Sequence, residues 1–158
     1  RVWWWQGHPA RWWLVSEFRV IRASGVEHVK RLIEPALAAG KWVIYDRFAD
    51  SALAYHGIAG DLGLDLVEQL QHLAVGVTGP DVTFLLDVRA EAGLQRAEKR
   101  GGAARFEKKG ATFHQTLRDG FLALANEAPH RIVLIDGEDT FDNVWGQIEA
   151  ELGRRFKL

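Results

Sequence analysis

Apolar and polar residues follow two different periods along this chain, and the two periods alternate. Apolar residues recur at helical spacing in five segments, SEFRVIRASGVEHVKRLIEPALAAG, LDLVEQLQHLAVG, AEAGLQRAEKR, TFHQTLRDGFLALANEA and TFDNVWGQIEAELGRRF. This spacing predicts five helices, with Gly40 and Gly76 placed to end the first two. Short and nearly continuous apolar runs predict three buried strands, WVIYD, VTFLLDV and RIVLIDG.

Buried strands that alternate with helices are typical of an α/β fold. We therefore predict a three-layer parallel sheet with helices on both faces. In such sheets ligands bind outside the carboxyl ends of the strands. The predicted strands end at Asp46-Arg47, at Asp87 and at Asp136. These positions are where we expect the functional site.

Composition narrows the class of protein. The 158 residues are 47% hydrophobic and 26% charged, as expected for a globular chain with one ordinary core. A net charge of -1 gives no field that would recruit nucleic acid or an anionic membrane. Cysteine is absent, the six histidines lack metal-ligand spacing, and no apolar run reaches the length of about 18 residues that a bilayer span needs. We expect a soluble cytoplasmic protein.

The first residues have an unusual composition. The sequence begins with Arg1, contains no methionine, and places five of its seven tryptophans in RVWWWQGHPARWW. That segment has neither helical nor strand periodicity. We leave residues 1–15 unassigned, either as an out-of-context fragment end or as an authentic segment, and expect one core domain over 16–158.

The segment WVIYDRFADSALAYHG carries the first candidate chemistry. The guanidinium of Arg47 suits bidentate binding of a phosphate, and Asp46 can hold Arg47 or a magnesium-bound water. Ser51 and Tyr55 follow at four-residue spacing, on one face of a helical turn. The structural alternatives are an Asp46-Arg47 salt bridge, a capping role for Ser51 and a packing role for Tyr55.

A glycine-rich basic loop, GGAARFEKKGA at 101–111, is the second candidate feature. Arg100 precedes it, and Arg105, Lys108 and Lys109 lie within it. Glycines and cations at this edge of a sheet suit a lid that closes over phosphates and neutralises charge during transfer. The alternative is a solvated basic loop.

Together these segments resemble the thymidylate kinase family. DRFADSALAYHG is similar to the family's DR(Y/F)-x-DS-x-x-AYQG motif, and PDVTFLLDVRAEAGLQRAEKR to its PDLTxLLDVxPExGLxRxxxR stretch. RFE, FHQTLRDGFLALA and RIVLIDGEDTFDNV follow in the family order. The resemblance covers about residues 28 to 158, with a weaker likeness from Ser16, and implies a P-loop kinase fold.

The resemblance also implies roles for individual residues. Arg47 would bind the phosphate of dTMP, with Asp46 beside it acting on magnesium-bound water, while Ser51 and Tyr55 would line the nucleoside pocket. Tyr55 would pack on deoxyribose and thymine. The resemblance places Arg100 against adenine, Arg105 on the transferred phosphates, and Phe106 near the acceptor nucleotide. The implied catalytic residues are Asp46, Arg47 and Arg105, and the implied co-substrate is ATP with Mg²⁺ and no direct protein ligand to the metal.

The sequence also departs from the family pattern. It contains no phosphate-cradling GxxxxGK[ST] loop, which the family carries on its first strand. We expect an N-terminally incomplete copy that lacks this strand and roughly fifty residues, judged by typical domain size. The family's base-contacting arginine falls on Gly25, and its AYQG glutamine is His56. Arg22, one helical turn earlier, is a possible substitute for that arginine.

Three functions stay open on the sequence. The first is a dTMP kinase that converts dTMP to dTDP, of which this chain is an inactive portion. The second is another deoxynucleotide or deoxynucleoside kinase with the same Asp-Arg motif. The third is a non-catalytic nucleotide-binding or dimerisation remnant. The family resemblance further implies a homodimer, for which the apolar helix from Ser16 to Ala39 could supply the face.

Overall fold

The computed structural model describes residues 26–60, 62–101 and 109–157. The chain forms two compact units, residues 1–79 and 80–158. The predicted segment 1–15 lies outside the described residues, so the proposed boundary between it and the core stays a prediction. Among the described residues, no helix is both long enough and apolar enough to cross a membrane.

In residues 26–60 and 62–79, the described part of the first unit, all regular secondary structure is helical. Residues 26–28 are helical and lead into a π-helical turn, Val29–Ile33, and then helix α1, Glu34–Ala38. Helix α2, Ala49–Ala52, runs into a second π-helical turn, Leu53–Ile58. Helix α3 spans Leu64–Val75.

Glycines end two of these helices as the sequence predicts. Gly40 follows α1 with φ 70° and Gly76 follows α3 with φ 62°, a left-handed backbone that residues with a side chain rarely adopt. Pro35 lies in the first turn of α1, directly after the π-helical turn. Both predicted helix ends are therefore confirmed.

The predicted strand WVIYD is wrong in the structure. Residues 41–45 have no regular secondary structure. Ile44 is 96% exposed and Trp42 is 61% exposed, although both belong to an apolar run typical of a buried strand. A strand needs a hydrogen-bonded neighbour, and the strands formed by the described residues pair only with each other. Apolar composition alone therefore does not make this segment a strand.

The described residues of the second unit, 80–101 and 109–157, form a parallel strand pair with three helices. Strand β1, Thr83–Asp87, pairs with β2, Ile132–Asp136, so that Asp87 lies opposite Asp136. Helix α4 spans Ala90–Lys99, α5 spans Gly110–Glu127 and α6 spans Phe141–Phe156. These elements match the predicted strands VTFLLDV and RIVLIDG and the three helices around them. The predicted α/β class with parallel strands is confirmed.

The carboxyl edge of this strand pair is tightly packed. Gly137 follows β2 and donates a backbone hydrogen bond of 2.9 Å to the Asp87 carbonyl oxygen. A Cβ atom on Gly137 would lie 2.9 Å from that oxygen. Ile135 and Ile132, which are 2% and 5% exposed, anchor β2 in the core of the unit. The close contact at Gly137 and the buried isoleucines of β2 together fix the positions of the carboxyl ends of the two strands.

Candidate active site

Arg47 has a strained backbone. Its φ angle is 65°, in the left-handed region that costs a residue with a side chain about 1–3 kcal/mol. The strain falls between the irregular residues 41–45 and the start of α2 at Ala49. Strained backbone conformations persist only where the surrounding structure stabilises them, and they are concentrated at functional sites. The backbone thus agrees with the sequence in selecting this residue.

The Arg47 side chain contacts Tyr55. Nη1 of Arg47 donates a hydrogen bond of 2.7 Å to the Tyr55 hydroxyl oxygen. The guanidinium carbon also lies 5.4 Å from the centre of the Tyr55 ring, within the range of a cation–π interaction. Tyr55 reaches this position from the second π-helical turn, a type of turn that is frequent at functional sites. Two residues that the sequence singled out are therefore brought together.

The alternative interpretation, a salt bridge between Asp46 and Arg47, is not supported, because the two side chains form no ion pair with each other. Both side chains are exposed, and no carboxylate of the described residues forms an ion pair with Arg47. Ser51 is half-buried inside α2, whose capping residues are Phe48 and Leu53, so the alternative capping role for Ser51 is not supported. Among the described residues, the hydrogen-bond partner of the Arg47 guanidinium is thus a hydroxyl and not a carboxylate.

Two polar residues of the same segment are buried. Asp50 is 8% exposed and His56, at the position of the family glutamine, is 9% exposed. Gly60 packs so closely that a Cβ atom there would lie 2.6 Å from the Tyr55 carbonyl oxygen. The two π-helical residues Tyr55 and His56 are thus held by a close backbone contact.

An open cleft of about 430 Å³ lies elsewhere in the first unit. Its lining is mainly apolar and includes His28, Leu32, Trp42 and Tyr45. The Tyr45 ring packs edge-on against Phe48, with the two ring centres 5.2 Å apart. None of the predicted site residues lines this cleft, so the cleft is not the phosphate site that the sequence predicts.

In the second unit, Asp87 at the end of β1 is held by an arginine that the sequence reading missed. Arg118 of α5 donates two hydrogen bonds of 2.7 Å to the Asp87 carboxylate. These bonds lower the pKa of Asp87 below its ordinary value, against the opposing effect of burial. Asp87 is therefore a partner in an internal ion pair. No sequence signal pairs two residues 31 positions apart, because their meeting depends on how α5 lies on the strand.

A second arginine pair joins the loops after the two strands. Arg89 binds Glu138 through both carboxylate oxygens, with the shortest side-chain bond 2.7 Å long. Hydrogen bonds from the Arg89 side chain and backbone lower the pKa of Glu138 to about 2. Arg96 of α4 donates a bond of 2.8 Å to the Gly137 carbonyl oxygen. The sequence reading assigned no role to these residues, whose pairing also depends on the tertiary fold.

The predicted lid is described only at its ends. Arg100 is exposed directly after α4, and Lys109 lies 4.9 Å from the centre of the Phe113 ring. Arg105 and Phe106 lie outside the described residues, as do Arg22 and Gly25. Gly110 and Ala111, the last residues of the predicted loop 101–111, form the first turn of α5. The roles of Arg100, Arg105 and Phe106 stay predictions.

Asp46 is the carboxylate that the sequence associates with magnesium. The described part of the chain contains no group of three histidine, aspartate or glutamate side chains that could hold a metal ion. Asp46 is exposed and forms no ion pair with a described residue, so its oxygens can accept hydrogen bonds from metal-bound water. This donor set fits a magnesium ion held mainly by phosphates and water.

Comparison with known proteins now assigns the family. The family model described as Thymidylate kinase matches residues 16–148, which include every predicted site residue. The chain belongs to the thymidylate kinase family. It is 45% identical over 152 residues to a thymidylate kinase of Caulobacter vibrioides, covering 96% of this chain and 73% of that protein.

Other thymidylate kinases are similar to the chain at comparable levels. The protein of Ruegeria pomeroyi is 47% identical over 141 residues, covering 88% of this chain and 66% of the relative. The protein of Rhodopseudomonas palustris is 42% identical over 144 residues, covering 87% and 63%. The chain thus spans 63 to 73% of the length of these three relatives. The resemblance seen in the sequence is confirmed, and with it the P-loop α/β fold class.

Proposed function

We propose that this protein is a dTMP kinase, which transfers the γ-phosphoryl group of ATP to dTMP and gives dTDP. The observation that carries the proposal is the exposed guanidinium of Arg47, held by Tyr55 in a strained backbone segment within the family match. A guanidinium without a carboxylate partner is suited to bind a phosphate through two parallel hydrogen bonds. The proposed setting is the cytoplasm.

The reaction requires positioning and charge stabilisation and no covalent intermediate on the protein. In the proposed mechanism Arg47 orients the acceptor phosphate, and the Tyr55 ring and Ser51 line the nucleoside pocket. Arg105 neutralises charge on the transferred group, while Arg100 lies against adenine and Phe106 lies near the acceptor. These assignments follow the family pattern position by position.

Magnesium would supply charge neutralisation on the ATP phosphates when it is bound. Asp46 would hold a water of its shell by accepting a hydrogen bond, as its exposed carboxylate permits. Asp46 directly precedes Arg47 in the same bend of the backbone, and we propose that both side chains act at the acceptor phosphate.

The proposal is tested by product analysis with a panel of acceptors. The protein is incubated with ATP and Mg²⁺ and with dTMP, dUMP, dCMP, UMP or thymidine, and the products are separated by ion-exchange chromatography. We expect dTDP from dTMP as the main product. Turnover of thymidine or of another monophosphate in preference to dTMP would instead favour the second hypothesis, a different deoxynucleotide or deoxynucleoside kinase.

A non-catalytic acceptor-binding module is the second candidate function for the 158-residue chain itself. The observation that favours it is the absence of GxxxxGK[ST] from the sequence, since that loop cradles the phosphates of ATP. This candidate predicts that the chain binds dTMP without binding ATP and without forming dTDP. Formation of dTDP by the chain alone would overturn this candidate.

We also propose that the protein is a homodimer. Two leucines of the helical segment that the sequence reading assigned to a dimer face are exposed, Leu32 by 61% and Leu37 by 45%. Exposed apolar side chains on one helical segment are suited to packing against a second copy.

A further inference from the structure

The Tyr55 hydroxyl forms a hydrogen bond that the proposed packing of the Tyr55 ring on the nucleoside does not require. Packing on deoxyribose and thymine uses the face of the ring, whereas the hydroxyl oxygen accepts the bond of 2.7 Å from Arg47. From this contact we propose that Tyr55 is a positioning residue for Arg47, which holds the guanidinium ready for the acceptor phosphate. The inference rests on the proposed function of the same site. It assigns the preference of the site for ligands that carry a phosphate to the hydroxyl oxygen of Tyr55.

The chemistry of the acceptor supports this role. A carboxylate partner would neutralise Arg47 and compete with a phosphate, but a phenol hydroxyl is neutral and occupies one of five guanidinium N–H donors. No described carboxylate is ion-paired with Arg47. Tyr55 therefore fixes the position of the charge without neutralising it.

Conformational freedom gives the physical reason for such a contact. An exposed arginine loses rotamer entropy when it is fixed by a ligand, and this loss opposes binding. The left-handed backbone at φ 65° and the hydrogen bond to Tyr55 restrict Arg47 before any ligand arrives. The second π-helical turn in turn holds Tyr55, where Gly60 packs against its carbonyl group. The benefit belongs to ligands that carry a phosphate, because only they use the guanidinium.

The test compares dTMP with thymidine, which share the nucleoside and differ in the phosphate. Tyr55→Phe keeps the ring and removes the hydroxyl. Calorimetric titration should show about tenfold weaker binding of dTMP, the scale of one hydrogen bond to a charged group, and unchanged binding of thymidine. Tyr45→Phe is the matched control, since Tyr45 is the other of the chain's two tyrosines and contacts Phe48 instead. We expect it to bind both ligands like the unsubstituted protein.

A double-mutant cycle shows whether Tyr55 acts through Arg47. In an Arg47→Ala background, Tyr55→Phe should cause no further loss of dTMP affinity. Equal weakening of dTMP and thymidine by Tyr55→Phe, no change for either ligand, or a tenfold loss that persists without Arg47 would each overturn the assignment. Circular dichroism spectra and melting curves establish that every variant is folded. Failure of the unsubstituted protein to bind dTMP would overturn the proposed function, a result distinct from these three.

Discussion

Individual arginine–carboxylate pairs differ in how far they are exposed to water, and this difference determines how much each pair contributes to stability. The side chains of Arg118 and Asp87 are 28% and 22% exposed, whereas those of Arg31 and Glu27 are 77% and 60% exposed. Water screens the exposed pair, so that its contribution to stability is small. The shielded pair should contribute more, because removing one partner leaves a charge that water cannot fully solvate.

The first prediction compares these two arginines. Arg118→Met should lower the free energy of unfolding by about 1.5–3 kcal/mol, because it leaves the shielded Asp87 carboxylate without its partner. Arg31→Met should change it by less than about 0.5 kcal/mol. Urea denaturation at pH 7 measures both. Equal losses in the two variants would show that Arg118 has no special role.

The same pair predicts a dependence on pH. Asp87 has a lowered pKa in the folded protein, so its contribution to stability is present above its ordinary value of 3.8 and is lost as pH falls through the lowered value. The stability difference between the unsubstituted protein and Arg118→Met should therefore shrink in acid. A difference that grows as the pH falls would contradict this account.

The pKa of Glu138 gives a prediction that can be measured at the carboxyl carbon of this one residue. Its pKa is lowered from 4.5 to about 2 by the hydrogen bonds from Arg89. A carbon-detected NMR titration should show the Glu138 carboxyl charged down to about that value, so that its stabilising effect is lost between pH 4.5 and about 2. In Arg89→Gln the pKa should return towards 4.5. An unchanged pKa in that variant would show that another group is responsible.

At the level of single residues the sequence selected candidate site residues, and the structure tests which of them meet. Arg47 was selected as a phosphate-binding guanidinium and Tyr55 by its spacing from Ser51, and the structure joins the two side chains. The partner of Asp87 could not be predicted, because Arg118 lies 31 positions away on a helix whose placement depends on packing. Charge spacing along the chain contains no information about such a contact.

At the scale of helices and strands, replacing each of two glycines by alanine should change the stability of the protein in opposite directions. Gly137 follows β2, and a Cβ atom there would lie 2.9 Å from the Asp87 carbonyl oxygen. Gly146 lies inside α6, where an added Cβ atom meets nothing within 4 Å. Gly137→Ala should cost about 1–3 kcal/mol through steric strain, whereas Gly146→Ala should stabilise the protein by about 0.5–1 kcal/mol through helix propensity.

Thermal or urea unfolding of these two variants measures the difference. Because the substitution is the same in both cases, effects of the added methyl group on the unfolded chain largely cancel. Destabilisation of similar size in both variants would show that the close approach at Gly137 is not the cause.

Helices were predicted more reliably than strands, and the reason is local hydrogen bonding. A helix satisfies its backbone within its own segment, so that periodicity locates α3 and α6 well, and Gly76 also marks the end of α3. A strand depends on a neighbour, which its own residues do not specify. VTFLLDV and RIVLIDG pair with each other, whereas residues 41–45 do not form a strand despite equally apolar composition. The π-helical turns also had no sequence signal that we could identify.

The proposed homodimer is a property of the whole molecule. Sedimentation equilibrium should give twice the chain mass of 17.8 kDa. Leu32→Lys should shift the mass to that of one chain, because a charge would be buried in an apolar contact. Leu73→Lys is the control, since Leu73 is 82% exposed on α3 and lies outside the proposed face. A monomer before substitution, or dissociation by both variants, would contradict the proposed face.

The central claim for the molecule is that Arg47 forms the phosphate site for dTMP. Calorimetric titration with dTMP of the unsubstituted protein, Arg47→Ala and Arg31→Ala tests this claim most directly. We expect Arg47→Ala to weaken binding by roughly 1.5–3 kcal/mol, the value of hydrogen bonds to a charged group, and Arg31→Ala, which removes another exposed arginine, to leave it unchanged. Equal affinity for dTMP in Arg47→Ala and the unsubstituted protein would contradict the account.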